Sequence, residues 1–136
     1  MGTDTKVAYE DRRVRIPLSQ GVVVFRDAQG TVWTNVPHLC AHHSPTGFEF
    51  GYAGSGPADL ALNVLEAVLR DRHHEGPRMQ CYNGTCYQFV WNMHQVFKRL
   101  YIATIDQTLG GVVPRDVIEL YITTFREMYP EQFEEA

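Results

Sequence analysis

Between Ser44 and Leu69 the chain reads SPTGFEFGYAGSGPADLALNVLEAVL, and this stretch constrains the fold more than any other. An aromatic run, Phe48-Glu49-Phe50-Gly51-Tyr52, meets a glycine turn, Ala53-Gly54-Ser55-Gly56, and a helix opens on Pro57. Glycines at 51, 54 and 56 imply positive φ or close approach of the backbone to a neighbour. Pro at the first helical position, with Ser55 or Gly56 as N-cap, is a helix start. The exposed N–H groups of such a start can receive an anion or a phosphate. The helix runs over 57–72, with Leu60, Val64, Leu65 and Val68 at helical spacing and Ala61 and Leu69 widening the stripe. Asp59, Asn63, Glu66 and Arg70 form its polar side.

Residues 6–52 are mainly strands. Lys6-Val7-Ala8-Tyr9 and Arg13-Val14-Arg15-Ile16 alternate polar with apolar, the period of a half-buried strand. Val22-Val23-Val24-Phe25 is a β-branched run suited to a central strand, and Asp27-Ala28-Gln29-Gly30 turns it into Thr31–Val36 as an antiparallel hairpin. Two further helices are expected, over 85–106 and 114–129, followed by an acidic tail at 130–136. In the first of these, Cys86, Val90, Met93, Phe97, Leu100 and Thr104 trace an apolar stripe, beside a polar strip of Asn92, Gln95 and Arg99. Gly110-Gly111 reads as a breaker, and residues 71–84 as a loop. The order gives an α+β fold, an N-terminal antiparallel sheet followed by three helices in a single domain over 1–136.

At 136 residues with 44% apolar content, the chain can fill one core. A net charge of −4 argues against a duplex nucleic acid partner, which needs a basic footprint, but leaves room for a small anionic ligand. No apolar run approaches the roughly 20 residues of a membrane span, so no membrane partner is expected. Three cysteines without a hydrophobic leader point to reduced thiols in a bacterial cytoplasm.

Three chemistries can be built. A nucleotide-type pocket would take phosphate at Gly54, Ser55 and Gly56, a base against Phe48, Phe50 or Tyr52, and ribose hydroxyls at Ser55 and Asp59. Asn92 adds a polar contact, and Arg99 or Arg126 charge from the later helices. The loop matches neither G-x-G-x-x-G nor a Walker pattern, and Asp59 would repel a phosphate placed at the helix start. The alternative is that Ser55, Gly56 and Asp59 only cap the helix while the aromatics pack on the sheet. His38, Cys40 and His42 would share one face of a strand and could offer zinc ligands, but no complete zinc motif is present, and neither metal nor other cofactor is assigned. His42, His43, His94, Glu49 and Cys40 could supply a nucleophile and a base; their spacing matches no triad, so no catalytic residue is assigned.

The segment SPTGFEFGYAGSGPADLAL resembles the hallmark of a small family of phage, prophage and plasmid proteins that carry a GFEWGYGGSGPADLAL-like box. His94-Gln95-Val96-Phe97-Lys98 is similar to that family's downstream His-x-x-Phe-Lys segment. Phe50 stands where Trp is usual and Ala53 where Gly is usual, so Ala53 is unsuited to a role needing positive φ. The resemblance implies a mobile-element origin. The element order is also similar to that of Thoeris anti-defence sponges, homo-oligomers that sequester cyclic ADP-ribose-like signals. That likeness implies a homo-oligomer in an infected cell's cytoplasm that holds a small nucleotide signal without cleaving it. The other expectations are an interaction protein that blocks a host defence or replication protein, and a small metal-dependent hydrolase using the His38–His43 cluster.

Overall fold

The computed structural model describes residues 13–44 and 47–130. The expected strand over Lys6–Tyr9 lies outside them. Strand β1 (Val22–Arg26) is central, flanked by β2 (Val32–Thr34) and β5 (Gly111–Val113), both antiparallel to it. The β1–β2 hairpin forms as the sequence predicts, pairing Phe25 with Trp33 and Val24 with Thr34. Its turn is closed by Asp27, whose carboxylate accepts from the amides of Gln29 and Thr31 and from the indole N–H of Trp33. Residues 13–16 are not a full strand; Arg13 makes one isolated bridge to Thr34.

The protein is an α+β domain in which N-terminal strands precede the helices, and its sheet gains a strand from the C-terminal half. The Gly110-Gly111 pair, expected to break the chain, opens β5. Gly110 has φ +82°, and a Cβ there would collide with the carbonyl oxygen of Val24. Only glycine allows the backbone so close to β1.

Helix α1 (Ser55–Asp71) begins two residues before its predicted start, with Gly54 as N-cap and no side-chain cap, so Asp59 falls in its second turn. Gly56 to Leu69 are all buried. Asp59, Asn63 and Glu66, read as the polar side, are fully buried with it. Each is satisfied by groups that wrap the helix. The Glu66 carboxylate accepts from Arg70 at 2.7 Å, Arg78 at 2.9 Å and the amide of Tyr87 at 2.9 Å. Arg78 and Tyr87 belong to a hairpin, β3 (Arg78–Gln80) with β4 (Thr85–Tyr87), where the sequence suggests loop and then helix.

Helix α2 (Gln88–Phe97) therefore starts three residues later than the sequence predicts and continues into a π-helical turn, Lys98–Ile102, closed by the Ala103 amide on the Lys98 carbonyl. The extra residue in that turn shifts the helical phase. Val90, Met93 and Phe97 are buried as expected, but Ile102 then occupies the core while Leu100 is 51% exposed. Helix α3 (Arg115–Met128) buries Ile118, Tyr121, Ile122 and Phe125, and the Tyr121 hydroxyl donates to the Met93 carbonyl at 2.8 Å. No helix among the described residues is long and apolar enough to cross a membrane.

Candidate functional site

The glycine turn is closed by its own neighbours. A Cβ at Gly54 would lie 2.6 Å from the Tyr52 ring, and one at Gly56 would lie 2.6 Å from the Glu49 side chain. Gly51 has φ +87° and sits against Gln107. Phe50 is fully buried, with the Arg26 guanidinium 4.4 Å above its ring and ion-paired to Glu49. Phe48 stacks on His38 at 4.6 Å, and between residues 48 and 56 only Tyr52, Ala53 and Ser55 are exposed. Phe50 therefore has no face for a base, and Asp59 is fully buried, out of reach of a ribose.

Arg126 lies elsewhere. It lines a cavity of about 340 Å³ with Leu69, Arg72 and Phe89, at the C-terminal end of α1. At 1.5 Å per residue, the helix puts roughly 25 Å between the glycine turn and that cavity. The sequence-predicted residues do not converge on one pocket.

The polar stripe of α1 builds something different. Asp59 accepts the backbone amides of His42, His43 and Ser44, at 3.2, 2.9 and 2.9 Å. One turn on, Asn63 accepts from the amides of Leu39 and Cys40 and donates to the Cys40 carbonyl. Residues 39–44 are thereby strapped across α1 in an irregular conformation. The strap separates the supposed zinc face: His38 goes to Phe48, Cys40 into the core, and His42 and His43 to the surface of α2. Among the described residues no three His, Cys, Asp or Glu side chains form a group that could hold a metal ion. The expected ligands His38, Cys40 and His42 are therefore not brought together.

On α2 the strap meets Trp91 and His94. The His43 ring lies parallel to the Trp91 indole at 5.5 Å, and His42 stands edge-on to the same indole at 4.7 Å. His94 is buried, its Nδ1 2.7 Å from the Trp91 carbonyl and its Nε2 2.9 Å from Nε2 of His43. Two nitrogens on one zinc stand about 3.3 Å apart, given Zn–N bonds of about 2.0 Å in a tetrahedron, so this contact is a hydrogen bond. Burial lowers the pKa of His94 to about 4, with His43 and Lys98 adding to the shift. His43 is also lowered, chiefly by burial and further by His42 and Lys98, against the opposing pull of Asp59. Both rings are neutral near pH 7. Lys98 and Arg99 make no ion pair among the described residues.

The cysteines take no part in this chemistry. Cys40, Cys81 and Cys86 are buried free thiols, with Sγ of Cys81 3.5 Å from Sγ of Cys86, and burial raises the pKa of Cys40 and Cys86 well above the usual thiol range. Thiols held protonated are poor nucleophiles.

Of the residues singled out from sequence, Asn92 and Arg99 lie on the helix and π turn that carry the cluster, and Asn92 accepts from Gln88. The pairing of His43 with His94 spans 51 positions and leaves no local pattern. The available hint was the i, i+3, i+7 spacing of Trp91, His94 and Lys98 on one helical face. The two segments that carry the family resemblance, the box and His94–Lys98, meet here through Asp59, the strap and His94.

Fold and site together define a small α+β protein with an imidazole–indole surface held on a buried polar helix. A model for a family of unknown function (DUF6166) matches residues 11–119, and the chain belongs to that family. No curated protein and no solved structure matches it.

Proposed function

We propose that this protein binds a small anionic ligand of the nucleotide class at the surface formed by His42, His43, Trp91 and Lys98. The observation that carries the reading is the neutral His43–His94 pair packed on Trp91, with Lys98 within electrostatic reach and without an acidic partner among the described residues. An aromatic wall, imidazole hydrogen-bonding groups and a cation are the groups a nucleotide requires. Asn92 and Arg99 lie next to Trp91 and Lys98 in the same helix and π turn. In the mobile-element setting that the box implies, the protein serves as a phage-encoded anti-defence sponge in the host cytoplasm. There it sequesters a cyclic ADP-ribose-like signal, without cleaving it, as a homo-oligomer.

Native mass spectrometry of protein purified from cells and then exposed to cyclic ADP-ribose gives the subunit count and retained ligand together. Heat denaturation should release the signal intact, and K98A or W91A should lose it. Recovery of a hydrolysed product, or retention unaffected by both substitutions, would refute the reading.

A second reading, a protein that blocks a host defence or replication protein, is favoured by the outer face of the sheet. Phe25 stacks on Trp33 there, and Val112, 60% exposed, lies opposite Val23 on the same face. A stoichiometric protein partner captured from host lysate, lost in V112E and with no nucleotide retained, would favour this alternative.

A further inference from the structure

The cluster fixes the position of every proton in it. The Trp91 carbonyl can only accept, so His94 Nδ1 carries the hydrogen. A neutral His94 then has a bare Nε2, and the 2.9 Å contact requires His43 Nε2 to donate. His43 is left with its lone pair on Nδ1. That atom has no hydrogen-bond partner among the described residues, and His43 is half-buried. Beside it, His42 Nδ1 accepts from the Tyr82 amide at 3.1 Å, which leaves His42 Nε2–H as a donor. The surface thus offers one acceptor, one donor and, from Lys98, one cation.

We propose that His43 Nδ1 accepts a hydrogen bond from a sugar hydroxyl of the ligand, whose phosphate reaches Lys98, and that His94 is the positioning residue that keeps Nδ1 an acceptor. This rests on the nucleotide reading above and adds what His43 selects. The charged and titratable groups facing His43 are Asp59 beneath the strap, His42 beside it, and His94 and Lys98 on the opposing helix face. None of them supplies a donor to Nδ1. A hydroxyl fits a neutral acceptor, whereas a phosphate oxygen placed there would set lone pair against lone pair.

Two measurements test it. Imidazole ¹⁵N NMR of the ligand-free protein at pH 7.5 should show His43 with a pyridine-type Nδ1 and a pyrrole-type Nε2. H94Q, whose side-chain oxygen can still accept, should keep that pattern, and H94L should give mixed tautomers. A protonated Nδ1 in the wild type overturns the proposal whether or not any ligand binds. Calorimetry with ADP and 2′,3′-dideoxy-ADP reads the ligand. The dideoxy compound should bind about tenfold more weakly, the worth of one hydrogen bond. H94L should lose a similar factor for ADP, and H94Q should stay within about twofold. ADP affinity should be constant at neutral pH and fall below the depressed pKa of His43, because protonation consumes the acceptor. Affinity that rises on acidification, or equal binding of both nucleotides, assigns Nδ1 to phosphate or to nothing and overturns the proposal. With the tautomer as expected but neither ADP nor cyclic ADP-ribose bound, the nucleotide reading fails and the sugar assignment falls with it.

Discussion

Asp59 is the residue on which the site stands, and its removal is predicted to be costly for a calculable reason. Its fully buried carboxylate serves three strap amides, those of His42, His43 and Ser44. In D59A each stranded donor loses its acceptor, at about 1–3 kcal/mol when water cannot replace it. The Ser44 amide is buried and carries the whole penalty; His43 is half-buried and carries much of it; exposed His42 can be hydrated and carries little. The sum is about 2–5 kcal/mol, a large share of the roughly 5–15 kcal/mol that holds a domain together. D59N keeps one acceptor oxygen and turns the other position into a donor facing an amide, so it should cost about 2 kcal/mol. Urea unfolding should show the D59A midpoint lower by about 2 M at a slope near 2 kcal/mol/M. Hydrogen exchange should accelerate at the His43 and Ser44 amides before it does so in β1. D59A within 0.5 kcal/mol of wild type, with those amides still protected, would show that the strap is held by something else.

Gly110 and Gly30 have nearly the same φ, +82° and +81°, but a Cβ at Gly110 meets the Val24 carbonyl oxygen while one at Gly30 meets nothing within 4 Å. G30A should therefore cost only the left-handed penalty, about 1–2 kcal/mol. G110A should cost more by at least about 2 kcal/mol, because backbone atoms of β1 must move, and calorimetric melting of both variants checks the difference. His94 sets a pH dependence: its folded pKa of about 4 lies below its unfolded value of 6.5. Below pH 6.5 the unfolded state takes up a proton that the folded state refuses. Stability is therefore full above pH 6.5 and falls between 6.5 and 4, by up to about 3 kcal/mol. H94Q should remove this component in urea melts at pH 7.5 and 5; an unchanged slope would show that His94 titrates normally.

The sequence was most legible where one local rule decides the outcome. Val22 to Phe25 form the central strand because β-branched side chains suit the pleated surface. Asp27 and Gly30 close its hairpin, and apolar spacing from Leu60 to Val68 gives α1. Legibility failed where a partner distant in sequence reverses a local preference. Hydropathy places Asp59, Asn63 and Glu66 in water; the structure buries them because backbone amides from 39–44 and 87 and the guanidinium of Arg78 replace that water. Gly110 looks like a breaker because its close approach to β1 is invisible until β1 is beside it. Leu100 leaves the expected stripe because a single π turn is too short to alter the periodicity of the window around it. The His43–His94 contact was the least legible, since each histidine taken singly resembles a surface residue.

The aromatic–glycine box contributes no ring or cation to the site and acts on it through Asp59. Gly56 lets α1 begin against Glu49, and Gly54 lets it begin under Tyr52, so the start of the helix is fixed to within the tolerance of a side-chain contact. Asp59 follows five residues after the N-cap, about 7.5 Å along the axis, and its height determines where three consecutive strap amides can be held. His43 rides on the middle one. A hydrogen bond of 2.9 Å to His94 tolerates only a few tenths of an ångström before it weakens, so a shift of α1 by even a fraction of a turn would disconnect the two imidazoles. Substituting Gly56 should therefore disturb the His43 tautomer through Asp59, although Gly56 lies in a different segment from either histidine. On this reading the box specifies the position of a buried carboxylate, and the chemistry it supports is carried by a loop and a helix outside it.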